Sequence, residues 1–327
     1  MESVKLGKSD IQVSRIFLGC VWYGKPTERH PWALGEEASE ELLQHALDNG
    51  INFFDTAMSY AEGTSEIFLG KFIKKCNKRK EIVLATKFTP RSEEERLAGT
   101  DGKQHVLNCL EGSLKRLDTD YVDLYILHMW DFHTPIEEIM EGLSIAVKQG
   151  KARAIGISNC YAWQLEKANA IAEKNGWPKF VSVQGHYNLM FREEEREMNP
   201  CCRAEGIALT PYSPLASGRL VKPKTETSKR LQMDTFAKSK YDRTAAQDEV
   251  IIDRVAEVAK KNGLTTTQVA LGWLLSKTDA PVIGATKLYH IDEAVNAVGV
   301  SLSAEDMAYL EEPYVPHALV GVMAINK

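Results

Sequence analysis

The sequence predicts an α/β fold of the (β/α)8 TIM-barrel class, with an N-terminal β-hairpin and an extra C-terminal helix. Short apolar runs alternate with helical segments along the chain, which indicates a parallel sheet. Eight such strand–helix units fit within 327 residues, with no long linker between them. The first strand runs into "LGCVWYGKP", which lacks the G-x-G-x-x-G turn typical of a doubly wound sheet. We therefore expect one barrel domain over residues 1–327.

The N-terminal half supplies the hairpin and four strand–helix units. The hairpin is predicted at residues 3–14, around the turn "GKSD". The barrel strands are predicted at 16–19, 51–54, 81–87 and 121–128, and the helices at 39–50, 65–75, 103–117 and 135–150. Ser39 is suited to cap the first helix, and Gly50 to end it.

The C-terminal half supplies the other four units. Its strands are predicted at 152–159, 180–188, 206–214 and 280–287, and its helices at 161–175, 193–205, 246–262, 266–277, 290–298 and 303–312. A polar stretch, 217–245, has no clear period. We expect it to be a long loop.

Polar side chains stand where the predicted strands end. They are Asp55, Tyr60 in the following loop, Lys87, His128, Ser158, Asn159, Gln184 and Tyr212. Taken singly, a strand-end aspartate is more often a turn former, and a strand-end histidine a core residue. The active site of a (β/α)8 barrel lies at the carboxyl ends of its strands. Because all these residues converge on that rim, we interpret them as one site.

The combination of Asp55, Tyr60, Lys87 and His128 predicts metal-free acid catalysis on a carbonyl group. A free tyrosine has a pKa of about 10. We expect the ammonium group of Lys87 to lower that pKa, with the aspartate holding the lysine charged. The histidine would donate a hydrogen bond to the substrate oxygen. The phenol would then protonate that oxygen while a hydride reaches the carbon.

The chain resembles the aldo-keto reductase family over essentially its whole length. The resemblance is carried, in order, by "INFFDTAMSYAEGTSE", "LATK", "LDTDYVDLYILHMWD", "GKARAIGISN", "VQGHYNLM" and "PYSPLASGRL". It implies a catalytic tetrad of Asp55, Tyr60, Lys87 and His128. One departure is Ala61, where the family usually has glycine, and we expect this to loosen the turn. The long loop after Tyr212 and the "GATK" ending are similar to bacterial members of the aryl-alcohol-dehydrogenase-like branch.

The resemblance also implies an NADP(H) site. Ser158, Asn159 and Gln184 would hold the nicotinamide carboxamide, and Tyr212 would stack on the nicotinamide ring. The diphosphate would lie along Ser213, Pro214, Leu215, Ala216, Ser217 and Gly218. The adenosine end would meet Thr286, Lys287, His290 and Glu293. The cation at Lys287 favours NADPH, but His290 replaces a more usual Gln or Arg, so NADH stays possible.

The substrate is expected to be a small carbonyl compound between aromatic walls, formed by Trp22, Tyr23 and Trp130. The loops 88–104 and 217–245 and the C-terminal tail would decide which compound binds. Two alternatives remain open. One is a cofactor-binding regulatory subunit similar to potassium-channel β subunits. The other is a lyase or aldolase that uses Lys87 as a Schiff base.

Composition and charge exclude several other classes. The formal net charge is −5 and no dense basic run occurs, so a nucleic-acid partner is not expected. No apolar stretch is long enough to predict a membrane span, and no signal peptide is recognisable. The six cysteines have no metal-ligand spacing and predict a reduced, cytoplasmic protein without a metal. No oligomer is implied.

Overall fold

The computed structural model describes residues 1–28, 31–221 and 234–325. The chain begins with an antiparallel hairpin, β1 (Ser3–Lys5) and β2 (Gln12–Ser14). Its side chains Leu6, Ile11 and Val13 are buried in a cluster beneath the barrel strands. The turn residue Gly7 has φ +56°, and a Cβ there would lie 2.2 Å from the carbonyl oxygen of Val181. The hairpin therefore closes the amino-terminal end of the barrel and leaves the carboxyl ends of the strands for the site.

The barrel is an eight-stranded parallel sheet. Its strands are β3 (Phe17–Gly19), β4 (Phe53–Asp55), β5 (Val83–Phe88), β6 (Val122–Leu127), β7 (Ala152–Ser158), β8 (Ser182–Gln184), β9 (Ala208–Leu209) and β10 (Val282–Gly284). Sequential strands pair from β3 to β9, and β10 pairs with β3. The Val282 N–H donates to the Pro211 carbonyl at 2.8 Å, which joins β10 to the segment after β9. The predicted (β/α)8 class is confirmed.

Helices surround the sheet. They are α1 (Glu36–Asp48), α2 (Thr64–Cys76), α3 (Glu93–Leu97), α4 (Gly102–Leu117), α5 (Ile136–Lys148), α6 (Ala162–Asn175), α7 (Met198–Glu205), α8 (Thr235–Tyr241), α9 (Ala245–Asn262), α10 (Thr266–Leu275), α11 (Leu288–Ala297), α12 (Ala304–Glu311) and α13 (Val322–Ile325). Every residue of β5 and β6 is buried, as expected for parallel strands covered on both faces. No helix in the described part of the chain is both long and apolar enough to cross a membrane.

Two sequence predictions about helices are wrong. Ser39 does not cap α1, because the helix begins three residues earlier, after Gly35. The Ser39 hydroxyl instead donates to the Leu34 and Gly35 carbonyls at 3.0 and 2.8 Å. The first turn of α1 contains Glu36 and Glu37, whose negative charges stabilise the helix at the positive end of its dipole. The predicted helix 193–205 is also divided, into a 3₁₀ turn, Glu193–Glu195, and α7.

The long loop predicted at 217–245 is wrong for residues 235–241, which form α8. Asp234 caps this helix by accepting from the Ala237 N–H at 2.8 Å. Three of its side chains, Ala237, Lys240 and Tyr241, are buried. Seven residues are too few for helical periodicity to stand out, and tertiary burial decides the conformation. Residues 222–233 of the predicted loop lie outside the described residues.

Candidate active site

Lys87 lies at the centre of the predicted site. Its side chain is fully buried near the end of β5, and its Nζ donates to Asp55 Oδ2 at 2.6 Å. The same Nζ donates to the Thr56 carbonyl at 2.7 Å and to the Tyr60 hydroxyl at 3.2 Å. An ammonium group has three protons to donate, so this geometry uses all of them. The structure thus brings three of the predicted tetrad residues into direct contact.

His128 completes the group from the end of β6. Its ring lies edge-on to the Tyr60 ring, with 5.8 Å between the centroids. Burial, and to a smaller extent the Lys87 charge, lowers the pKa of His128 to about 3. The imidazole is therefore neutral at physiological pH. Its Nδ1 is buried without a hydrogen-bond partner among the described residues.

The pKa of Tyr60 differs from the sequence prediction. Lys87 acts in the expected direction, but burial of the phenol is the larger effect and raises the pKa above its ordinary value. Tyr60 therefore carries its proton at neutral pH. For Lys87, burial alone lowers the pKa, but the charges and hydrogen bonds of Asp55 and Tyr60 raise it above its ordinary value. The lysine is therefore a stable cation.

The turn that carries Tyr60 is strained. It is a 3₁₀ turn, Tyr60–Gly63, in which Ala61 and Glu62 have φ of +46° and +55°. Ala61 is buried, and a Cβ on Gly24 would lie 2.5 Å from its methyl group. A side chain at positive φ costs free energy that glycine avoids, and the expectation that alanine loosens this turn stays a prediction.

The three residues predicted to hold a carboxamide are hydrogen-bonded to each other and to the tetrad. Gln184 Nε2 donates to Asp55 Oδ1 at 3.1 Å, and Ser158 Oγ donates to the Gln184 carbonyl at 2.7 Å. Asn159 Nδ2 donates to Ser158 Oγ and to the His128 carbonyl. The Tyr212 hydroxyl donates to Asn159 Oδ1 at 2.9 Å. Asp55 thus orients both Lys87 and Gln184, a link that strand-end positions alone do not reveal.

The predicted diphosphate segment follows Tyr212 as an irregular turn. Ser213, Ala216, Ser217 and Gly218 all have φ between +48° and +91°. Backbone with successive changes of handedness can point N–H groups into one concavity and bind anions. Ala216–Gly218 also forms a 3₁₀ turn. The N–H groups of Ala216 and Gly218 already donate to the Ser213 and Leu215 carbonyls, at 3.0 and 2.8 Å, so diphosphate binding by this segment stays a prediction.

The predicted adenosine end lies at the start of α11. Lys287 is the N-cap residue and is exposed, and no side chain caps the first N–H groups. A helix N-terminus of this kind suits a phosphate. His290 Nδ1 accepts from the Thr286 N–H at 3.3 Å, and Glu293 accepts from the Thr267 hydroxyl at 2.7 Å. These residues fit NADP(H), although His290 and Glu293 also bond within the chain.

The three residues predicted to form aromatic walls differ in their surroundings. Trp22 and Trp130 are 8 % and 6 % exposed, with Trp32 and Trp163 respectively beside them at 5.7 and 6.0 Å between centroids. Tyr23 is fully in the core, and its hydroxyl has no hydrogen-bond partner among the described residues. Substrate contact by all three stays a prediction.

Sequence reasoning missed a buried ion pair that supports the site. Glu66 is the last residue of the motif "INFFDTAMSYAEGTSE". It is fully buried and accepts from Thr86 Oγ1 at 2.6 Å and from Arg116 Nε at 2.5 Å. Thr86 precedes Lys87, so this carboxylate fixes the strand that carries the lysine. The only signal in the sequence was a glutamate on an otherwise apolar helix face. Among the described residues, no group of His, Cys, Asp and Glu is arranged to hold a metal ion.

Comparisons with known proteins show the family of this chain. The model of the aldo/keto reductase family matches residues 15–314. Versiconal hemiacetal acetate reductase of Aspergillus parasiticus is 41 % identical, with 98 % of each chain covered. A putative aryl-alcohol dehydrogenase of Schizosaccharomyces pombe is 37 % identical, covering 97 % of this chain and 96 % of the relative. Both relatives are fungal proteins.

A solved structure is similar in fold as well as in sequence. It is that of a thermostable aldo-keto reductase in complex with the inhibitor epalrestat, with a TM-score of 0.76 and 29 % sequence identity. The match covers 96 % of this chain and 100 % of the other. Sequence and fold therefore point to the same family.

Proposed function

The chain belongs to the aldo/keto reductase family of oxidoreductases, which generally use nicotinamide cofactors, and from this we propose that it is an NADP(H)-dependent carbonyl reductase. It would reduce aldehydes or ketones to alcohols, with Tyr60 as the general acid. The observation that carries the proposal is the contact of the Lys87 ammonium with both Asp55 and the Tyr60 hydroxyl. A phenol held beside a buried cation is suited to protonate an oxygen that becomes negative.

The proton transfer is the task of Tyr60 and Lys87. The raised pKa of Tyr60 keeps the phenol protonated before the reaction, as an acid must be. Once the proton leaves, the phenolate lies 3.2 Å from a lysine whose charge Asp55 maintains. The ion pair would stabilise the phenolate, because the lysine is fully buried. A reduced nicotinamide, when bound, supplies the hydride.

The neutral His128 would orient the substrate. A neutral imidazole donates one N–H and leaves its other nitrogen as an acceptor. Its lowered pKa keeps a second positive charge away from Lys87. The carbonyl oxygen would then receive one hydrogen bond from His128 and one from Tyr60. Two donors on one oxygen fix the carbonyl group and polarise it.

The cofactor would lie along the rim from β7 to α11. Ser158, Asn159 and Gln184 would hold the carboxamide, and Tyr212 would stack on the nicotinamide ring. The exposed cation of Lys287 at a helix N-terminus supports NADPH over NADH, because the 2′-phosphate needs a charged partner. The aryl-alcohol dehydrogenase and hemiacetal reductase names of the relatives support apolar substrates. A cytoplasmic location, supported by the free cysteines, is part of this proposal.

The two alternative functions have less support. A Schiff-base lysine must lose its proton easily, whereas the pKa of Lys87 is raised and its ammonium is paired with Asp55. A regulatory subunit would not need an assembled tetrad, and the relatives described above are named as reductase and dehydrogenase.

A cofactor and substrate panel tests the proposal. Purified protein would be mixed with NADPH or NADH and with aromatic and aliphatic aldehydes, and cofactor oxidation followed by absorbance. We expect turnover with NADPH and aromatic aldehydes. Borohydride added during turnover should trap no adduct on Lys87. An adduct there would favour the lyase, and binding of cofactor without turnover of any carbonyl compound would favour the regulatory subunit.

A further inference from the structure

The helix α8 touches the proposed cofactor platform, by which we mean the Tyr212 ring and residues 213–218. Its last residue, Tyr241, is 2 % exposed. The Tyr241 hydroxyl lies 2.7 Å from His186 Nε2 and 3.3 Å from Asn188 Nδ2. The neighbouring Lys240 places its Nζ 4.7 Å from the centroid of the Tyr212 ring. Two consecutive residues of α8 therefore contact the platform or its direct support.

His186 is that direct support. Its ring is nearly parallel to the Tyr212 ring, at 13° and 5.4 Å between centroids, and Phe191 stacks on it at 4.3 Å. Its Nδ1 is buried without a partner among the described residues, so its hydrogen bonds are made at Nε2. Burial, with smaller contributions from Lys240 and His317, lowers the pKa of His186 well below its ordinary value. A neutral Nε2 can accept the Tyr241 hydroxyl proton, which fixes the rotation of the ring behind Tyr212.

The other end of the platform is tied to the same tyrosine. Arg219 directly follows the proposed diphosphate segment, and its guanidinium carbon lies 5.1 Å from the centroid of the Tyr241 ring. Its NH2 group lies 2.7 Å from Asp242 Oδ1. Asn188, which contacts the Tyr241 hydroxyl, donates to the Ser213 carbonyl at 2.9 Å. Tyr241 thus joins the ring end and the diphosphate end of the platform.

We propose that Tyr241 is a positioning residue for the dinucleotide, through which α8 holds the nicotinamide platform and the diphosphate turn in their binding arrangement. The proposal rests on the proposed function and extends it to a helix that none of the sequence motifs contains. Tyr241 acts through His186 and Arg219 and is not itself a catalytic residue. Because the platform meets the part common to both cofactors, its loss weakens NADPH and NADH alike.

The chain offers a matched control for a tyrosine variant. Tyr187 is also buried, at 1 % exposure, and lies next to His186 in sequence. Its hydroxyl donates to Glu195 and its ring packs on Trp273, whereas the Tyr241 hydroxyl contacts His186. Tyr187→Phe and Tyr241→Phe therefore each remove one buried hydroxyl, and only the second acts on the platform.

The test is a fluorescence titration of NADPH and NADH with the full chain, its Tyr241→Phe variant and its Tyr187→Phe variant. We expect Tyr241→Phe to raise both dissociation constants by a similar factor, about three- to tenfold, as for the loss of one buried hydrogen bond. With saturating cofactor, kcat should stay within about twofold of the parent. Tyr187→Phe should leave both constants unchanged even where it lowers thermal stability.

A second variant covers the case in which Tyr241→Phe does not fold. His186→Phe keeps a ring against Tyr212 and removes the hydrogen bond to Tyr241, so it should weaken both cofactors to the same extent. Parent affinities in Tyr241→Phe or His186→Phe, or equal losses in Tyr187→Phe, would overturn the positioning role while leaving the reductase proposal intact. A parent protein that binds neither dinucleotide would overturn both.

Discussion

At the scale of single residues, the proposed chemistry rests on the phenol of Tyr60. Tyr60→Phe should reduce kcat for carbonyl reduction by at least about 10²-fold, because it removes the hydroxyl that the Lys87 ammonium contacts. Cofactor affinity should change little, since the hydroxyl contacts the lysine and not the proposed dinucleotide segments. Steady-state kinetics and a cofactor titration of the same preparation check both halves. Activity within a few-fold of the parent would contradict the assignment of the acid.

The variant Ala61→Gly tests the backbone strain in the turn that carries Tyr60. At φ +46°, a side chain costs roughly 1–2 kcal/mol, which is partly offset by the greater freedom of glycine in the unfolded chain. Ala61→Gly should leave the free energy of unfolding unchanged or raise it by up to about 1 kcal/mol. Urea titrations would compare it with Ala168→Gly, at a buried position within α6. That control should lose at least about 1 kcal/mol. A similar loss at Ala61 would contradict the strain.

The proximity of the candidate catalytic residues could be predicted from the sequence, because they lie at or just after the ends of strands that a parallel barrel must bring to one rim. Their pKa values could not. The pKa of Tyr60 depends on how much of the phenol is buried. The effect of burial is larger than the opposite effect of the Lys87 charge, which the sequence predicts. The link from Gln184 to Asp55 also joins residues far apart in the chain, so no local pattern contains it.

At the scale of elements, the N-terminus of α11 decides the proposed choice of cofactor. Lys287→Ala should weaken NADPH binding by about tenfold or more and leave NADH binding nearly unchanged, since one charge-assisted contact contributes roughly 1.5–3 kcal/mol. Fluorescence titration with both cofactors measures this, and Lys115→Ala, at an exposed site on α4, is the control for loss of a surface cation. Equal losses for NADPH and NADH would show that the 2′-phosphate is placed wrongly.

The C-terminal tail is held by a buried histidine–aspartate pair. His317 Nε2 lies 2.9 Å from Asp248 Oδ1, and its Nδ1 lies 2.7 Å from the Val315 carbonyl, so both ring nitrogens face acceptors. Burial alone would lower the pKa of His317, but Asp248, the Val315 carbonyl and Glu193 raise it above its ordinary value. The charged imidazole therefore stabilises the folded chain at pH below about 6.5. This contribution is lost as pH rises through the raised pKa.

His317→Gln separates this effect from others. The difference in unfolding free energy between the parent and the variant should be largest at acidic pH, on the order of 1.5–3 kcal/mol. It should shrink as pH rises, and denaturant titrations at several pH values would follow it. A difference that grows with pH would mean that His317 is neutral in the folded chain.

The element pattern shows where sequence prediction reaches its limit. A continuous apolar run such as β6 and a strongly periodic helix such as α5 can be predicted to within about two residues. The helix α8 was not predicted, because its seven residues are helical only where Asp234 caps them and the buried Tyr241 anchors them. Tyr241, which we propose as the positioning residue for the cofactor platform, therefore lies in a segment that the sequence predicts to be a loop.

At the scale of the whole molecule, the proposed cofactor residues come from distant parts of the chain. They lie at or after the carboxyl ends of β7, β8, β9 and β10, so one bound dinucleotide would join strands on both sides of the contact that closes the barrel. Binding to the folded state alone raises the free energy of unfolding by RT ln(1 + [L]/Kd). We therefore expect the cofactor to raise the melting temperature of the entire barrel.

The cofactor concentration determines how much the free energy of unfolding increases. NADPH at 100 times its Kd should add about 2.7 kcal/mol for the parent, and the same concentration should add only about 1.4 kcal/mol for Lys287→Ala if its affinity is tenfold lower. Calorimetric scans with and without cofactor would measure both values. Equal increases in the free energy of unfolding of the two proteins would contradict the role of Lys287 but not the rest of the cofactor site. An unchanged melting temperature with either dinucleotide would contradict the site as a whole, because a ligand that binds the folded barrel selectively must stabilise it.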